Sequence, residues 1–198
     1  MVEHPLQMIY SMGSVVEYVN ASTVLNQVKN VDSNIQAINF TSGSYKEVAA
    51  NIAEWQKGSR TRNIYPLIIL FTDKKEQYGK DGYNGTSIPH LAIAYSSKAT
   101  YTAAERYTNG FIPILYPLYH ELLRQIDQSG YYVIQSVRKI IHTKYDRPNW
   151  QGTNNVFSEP LDAIEISNIQ LKLTTNAIRT IPAVNPRFHD DVFDDLHD

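Results

Sequence analysis

The chain has 198 residues, of which 42% are hydrophobic and 19% charged, with a net charge of -2 and no cysteine. That length suits one domain with a sizeable core, and the near-neutral charge speaks against wholesale binding to nucleic acid or an anionic membrane. Without thiols there are no disulfides, thiolate nucleophiles or cysteine-based zinc sites, which fits a chain made in a reducing cytoplasm.

The N-terminal "MVEHPLQMIYSMG" lacks the basic and apolar regions of a signal peptide. The first predicted helix covers about residues 14 to 29, where Val15, Val16, Val19, Val24, Leu25 and Val28 form a helical stripe. "NIQAINF", residues 34 to 40, reads as a short strand. Gly43 then turns the chain, and Ser44 with Glu47 three residues on forms a capping box for a second helix, whose inner face is Val48, Ile52 and Trp55.

"IYPLIILFTD", residues 64 to 73, has the length and composition of a buried strand. Its apolar part is 8 residues long, against about 20 for a membrane helix. A glycine-containing charged stretch follows and reads as a hairpin tip. "IPHLAIAYSS", residues 88 to 97, is the returning strand, with Leu91, Ile93 and Tyr95 on one face.

Thr100 or Thr102 caps the next helix, with Glu105 in its first turns. Ile114, Leu115, Leu118, Tyr119, Leu122, Leu123 and Ile126 make the strongest helical stripe in the chain. Pro113 and Pro117 leave two readings open. Either a helix starts at Pro113, or one helix runs from 102 to 127 and bends at the prolines, with Gly110 as the joint. "YYVIQSVRKIIHTKYDRPNW" begins like a strand and ends in a basic loop or twisted edge strand. Residues 161 to 175 alternate as a strand, with a register shift near Ser167 and Asn168 that suggests a bulge. The expectation is an α+β domain over residues 1–173, a small mixed sheet of four to five strands packed by two to three helices, and an extended C-terminal arm over 174–198. Pro182 and Pro186 oppose helix in that arm.

No stretch carries a catalytic signature. His4, His90, His120, His142, His189 and His197 are scattered without metal-ligand spacing. His120–Glu121 reads as a helix-surface pair, and "HDDVFDDLHD" as a solvated acidic tail. "GKDGYNG" lacks the strand-to-helix context and Lys-Ser/Thr pair of a phosphate loop. Asp73 closes the "PLIILF" strand, a position enzymes favour, but no acid, base or metal partner is evident beside it. No cofactor or metal is expected.

"NIYPLIILFTD", then a charged loop, then "IPHLAIAYSSKATYTAAERYTNGFIPILYPLYHELLRQI" resembles small virion proteins of tailed bacteriophages, including crAss-like phages. The likeness covers about residues 34 to 127, and the layout is similar to tail-terminator and neck ring proteins of the head–tail connector. It implies a structural, non-enzymatic subunit in the virion, assembled in the host cytoplasm. The implied partners are copies of itself in a ring, the portal, neighbouring neck or tail proteins, and passing genomic DNA contacted without sequence specificity. No membrane is implied. Tyrosine suits such contacts, since its apolar body carries one polar tip, and the chain has 14. Candidate contact residues are Arg138, Lys139, Lys144 and Arg147 on a basic edge and Ile181, Phe188 and Phe193 on the arm. The alternatives are an enzyme using Asp73 and a histidine such as His90, or a small cytoplasmic adaptor.

Overall fold

A computed structural model of the chain describes residues 5–57, 64–78, 85–135, 140–146 and 160–174. It is α+β, as expected. The elements run α1 (Pro5–Ala21), α2 (Thr23–Val31), β1 (Asn39–Gly43), α3 (Tyr45–Lys57), β2 (Leu67–Tyr78), β3 (Gly85–Ser96), α4 (Ala103–Arg106), a π-helix (Tyr107–Leu115), α5 (Tyr116–Gln128), β4 (Tyr132–Ile134), β5 (Ile141–Asp146), β6 (Leu161–Ser167) and β7 (Leu171–Leu173). All seven strands belong to one sheet.

The sheet is seven strands in number but five strands wide. β1 pairs parallel to β2, and β2, β3, β6 and β5 follow as antiparallel neighbours. β7 continues the line of β6 along β3, with Ser87 opposite Leu171, and β4 pairs with β7. The shift anticipated at Ser167–Asn168 is a full break, where Asn168 takes φ 61 and splits one ladder into two strands. Asparagine tolerates this left-handed backbone better than most residues.

Three predicted boundaries move. The helix expected over 14–29 is two helices. Ser22 ends α1 by donating to the Val19 carbonyl at 2.7 Å and caps α2 by accepting from the Val24 N–H. The stripe also extends back through Met12 and Met8, both buried. The strand expected over 34–40 lies at 39–43 instead. Ile35 and Ile38 precede it in a loop yet are buried. Asn20 on α1 holds that loop as a strand would, donating to the Ile38 carbonyl and accepting from its N–H, each at 2.8 Å. The hairpin strands are longer than predicted, reaching Tyr78 and starting again at Gly85.

The capping predictions agree with the structure. Ser44 Oγ accepts from the Glu47 N–H, and the Glu47 carboxylate accepts from the Ser44 N–H at 2.7 Å. Thr102 and Glu105 make the same reciprocal pair. Of the two readings around the prolines, the continuous helix is the one formed. Pro113 lies inside the π-helix and Pro117 in the first turn of α5. A proline has no N–H and clashes with the carbonyl four residues back in an α-helix. The π-helical stretch opens that spacing, so the chain continues from Ala103 to Gln128 without a break.

Alternation in the strands divides the core. Ile68, Leu70, Leu91, Ile93, Ile164 and Ile166 face α1, α2, the π-helix and α5. Leu67, Ile69, Phe71, Ala92, Ala94 and Ala163 face the other way, where Val48 and Ile52 of α3 pack.

Candidate functional site

Two groups of polar side chains lie on opposite faces of the sheet. On the α3 side, β3 carries His90 directly opposite Phe71 of β2. Its Nδ1 is in short hydrogen-bond contact with the Tyr45 hydroxyl at the start of α3. Its Nε2 lies 3.3 Å from the Glu165 carboxylate on β6. Tyr45 stacks on Phe71 at 4.2 Å, and Phe71 packs on the His90 ring at 5.1 Å. A carboxylate thus orients an imidazole that faces a phenol, an order in which a proton can move between the last two.

Asp73 is not where the sequence places it. β2 runs on to Tyr78, so Asp73 is internal to the strand, in the irregular stretch between Phe71 and Lys75 where the register with β3 shifts. Its side chain lies outside the described residues. Tyr45 and Glu165 escaped notice in the sequence. Their only signals were Tyr45 at a helix start and Glu165 as a charged residue in an apolar alternation. Nothing local says that both meet His90.

On the helix-rich face a cleft of about 200 Å³ is lined by Asp32, Tyr95, Ser97, Lys98, Tyr101, Asn109, Gly110 and Asp162. Asp162 in its lining belongs to a buried ion pair. Arg106 Nη1 donates to Asp162 Oδ1 at 2.8 Å, with 4% and 1% of the two side chains exposed. A Cβ on Gly110 would lie 3.2 Å from Asp162 Oδ2, so glycine lets the π-helix press close to β6. Beside it the Tyr95 hydroxyl donates to Asp32 Oδ2 at 2.7 Å. Burial works to raise the Asp32 carboxyl, but the bonds from Tyr95 and from the backbone and side chain of Asn34 outweigh it and hold it below its ordinary value. Burial first, and then the Asp32 carboxylate, push the Tyr95 phenol well above its own. Ser97 Oγ is buried with no hydrogen-bond partner among the described residues.

The tyrosines around the prolines form a third group, at the surface. The Tyr107 and Tyr116 hydroxyls are 2.8 Å apart, and Lys144 Nζ on β5 donates to Tyr107 at 3.1 Å. The same ammonium lies 5.2 and 4.8 Å from the two ring centroids. The bonds from Tyr116 and then Lys144 lower the Tyr107 phenol. Lys144, a candidate contact residue, is therefore held within its own chain. Arg138, Lys139, Arg147, Ile181, Phe188 and Phe193 lie outside the described residues, as does the arm beyond Thr174.

His120 is exposed on α5, whereas Glu121 turns inward and is 7% exposed. The expectation of a surface pair holds for His120 only. Glu121 pairs with Arg124 at 2.5 Å, and that bond chiefly holds its carboxyl below the ordinary value. Among the described residues no group of three or more His, Asp or Glu could hold a metal ion, and no helix is long and apolar enough to cross a membrane. No family model matches the chain, and no curated protein matches it either.

Proposed function

We propose that the chain is a structural subunit that forms or joins a ring in the head–tail connector of a tailed phage, with a tail-terminator-like role. One observation carries the reading beyond the resemblance over residues 34 to 127. The outermost column of the sheet, β4 and β5, leaves two aliphatic side chains in water, Val133 at 49% and Ile141 at 55% exposure. Exposed aliphatics on a sheet edge are an association surface. Head-to-tail contacts of that kind close into a ring when the rotation closes. The portal, adjoining neck or tail proteins and the passing genome are the remaining partners under this reading, within the virion.

Mass measurement tests it. The purified chain, or the chain added to isolated necks, is expected in a large symmetric assembly by light scattering and electron microscopy. A monomer at every concentration that also fails to join necks overturns it.

The Glu165–His90–Tyr45 contact favours a second reading, a hydrolytic or proton-transfer enzyme built on His90 rather than on Asp73. Under it, His90→Ala abolishes a measurable turnover while the fold survives. Under the ring reading the same variant assembles normally.

A further inference from the structure

Val133 and Ile141 lie on the same face of the sheet. Tyr132 is buried against the helix-rich core, so its neighbour Val133 points to the opposite side, across from Lys172. Ile141 is paired with Ser167, and Ile166 next to it faces the helix-rich core, so Ile141 shares the side of Val133. That is the α3 side. Among the described elements α3 is the helix on this side, and it packs on β1 and β2, at the far end of the sheet.

The chain leaves the sheet beside this column. Thr174 donates its N–H to the Tyr131 carbonyl at 2.9 Å and its hydroxyl to Gly130 at 2.6 Å. Residues 175 to 198 follow, with Ile181, Phe188 and Phe193 among their apolar groups and five aspartates between 190 and 198. At roughly 3.3 Å per residue they span up to about 80 Å when extended, enough to cross a neighbouring subunit. Pro182 and Pro186 lack the N–H that a strand in a ladder needs. A segment with two prolines suits a sheet face better than a sheet edge.

We infer that residues 175–198 of a second copy dock on the α3-side face of β4 and β5, their apolar side chains covering Val133 and Ile141. Both aliphatics are exposed, and a ring subunit sets a second copy against this outer column, within reach of a segment of that length. The inference rests on the ring reading and names its contact. The apolar side chains hold the segment there by removing their surface and that of Val133 and Ile141 from water.

The absence of cysteine makes the test direct, because an introduced thiol is the only one in its chain. Chains carrying Ile141→Cys are mixed with chains carrying Phe188→Cys and oxidised. A mixed cross-linked dimer is expected, well above the yield from Ile141→Cys chains with Gln135→Cys chains as a control. In a second arm, Ile141→Asp is expected to keep the circular dichroism and melting of the parent and to weaken assembly at least tenfold. If assemblies form but Ile141→Asp leaves them unchanged, or the Cys pair links only within one chain bearing both substitutions, the docking inference is overturned and the ring reading stands. A chain that stays monomeric throughout and does not join necks overturns both.

Discussion

On its helix-rich face the sheet presents Ile68, Leu70, Leu91, Ile93, Ile164 and Ile166, met by α1, the π-helix and α5. On the other face β2 presents Leu67, Ile69 and Phe71, while β3 and β6 present Ala92, Ala94 and Ala163, met by aromatic rings and α3. The first face buries long aliphatics and shuts a full ion pair among them. The second is thinner over β3 and β6, holds its polar contact at His90 partly open, and ends in exposed Val133 and Ile141. The difference separates a sheet face covered by helices from one whose outer column leaves Val133 and Ile141 exposed. Apolar area removed from water, at about 25 cal/mol per Å², is concentrated on the side with the larger side chains.

The severest way to break the helix-rich face is to strand one of its charges. Asp162→Ala leaves Arg106 buried without its carboxylate and is expected to cost about 3–5 kcal/mol in urea unfolding. Replacing both, Arg106→Met with Asp162→Leu, is expected to recover most of that loss, because desolvation of the charges disappears along with their attraction. A double variant no better than Asp162→Ala would show that the pair does more than satisfy itself.

Neighbouring positions on β3 sharpen the contrast. Ile93→Ala opens a cavity against the helices and is expected to cost about 2–5 kcal/mol. Ala94→Leu overfills the α3 side and is expected to cost about 1–3 kcal/mol. Equal losses from the two in urea unfolding would erase the distinction between the faces.

The Asp32–Tyr95 contact adds a pH dependence. Asp32 titrates lower in the folded chain than in the unfolded one, so its contribution is complete above the ordinary carboxylate range and is lost as pH falls through the folded value, below about pH 4. Tyr95→Phe is expected to cost about 1 kcal/mol at neutral pH and to flatten that acid limb in unfolding measured across pH. An unchanged limb would place the acid sensitivity elsewhere.

The smallest effect belongs to the surface. Lys144→Ala is expected to leave the melting temperature unchanged and to raise the Tyr107 titration toward the ordinary phenol value, followed by absorbance or NMR. A Tyr107 that does not move would mean that Tyr116 alone lowers it.

Local rules carried much of the fold. Ser44–Glu47 and Thr102–Glu105 are capping boxes visible as two residues at fixed spacing, and both form. The stripe from Ile114 to Ile126 is a helix because its spacing admits one buried face. The β2–β3 pairing follows from two apolar runs on either side of a charged, glycine-containing stretch. The break at position 22 is not legible in the sequence, because Ser22 both ends and starts a helix within one apolar stripe. The strand at 39–43 is shifted from the expected 34–40 because Ile35 and Ile38 are buried without being strand, and Asn20, distant in sequence, satisfies the Ile38 backbone.

By itself the sequence determined the α+β class, the main helices and hairpin, and the lack of any thiol or metal-binding motif, since each depends on composition or on neighbours a few residues apart. Only the tertiary structure decided that Pro113 sits in a π-helix, that Arg106 meets Asp162, that His90 stands between Tyr45 and Glu165, and that Val133 and Ile141 share one exposed face. Apart from the first, those outcomes bring together residues from different elements, separated by as many as 75 positions. The last three depend on strand register and on which face each strand turns inward, and a shift of one residue would send Asp162, His90, Glu165, Val133 or Ile141 to the other side of the sheet.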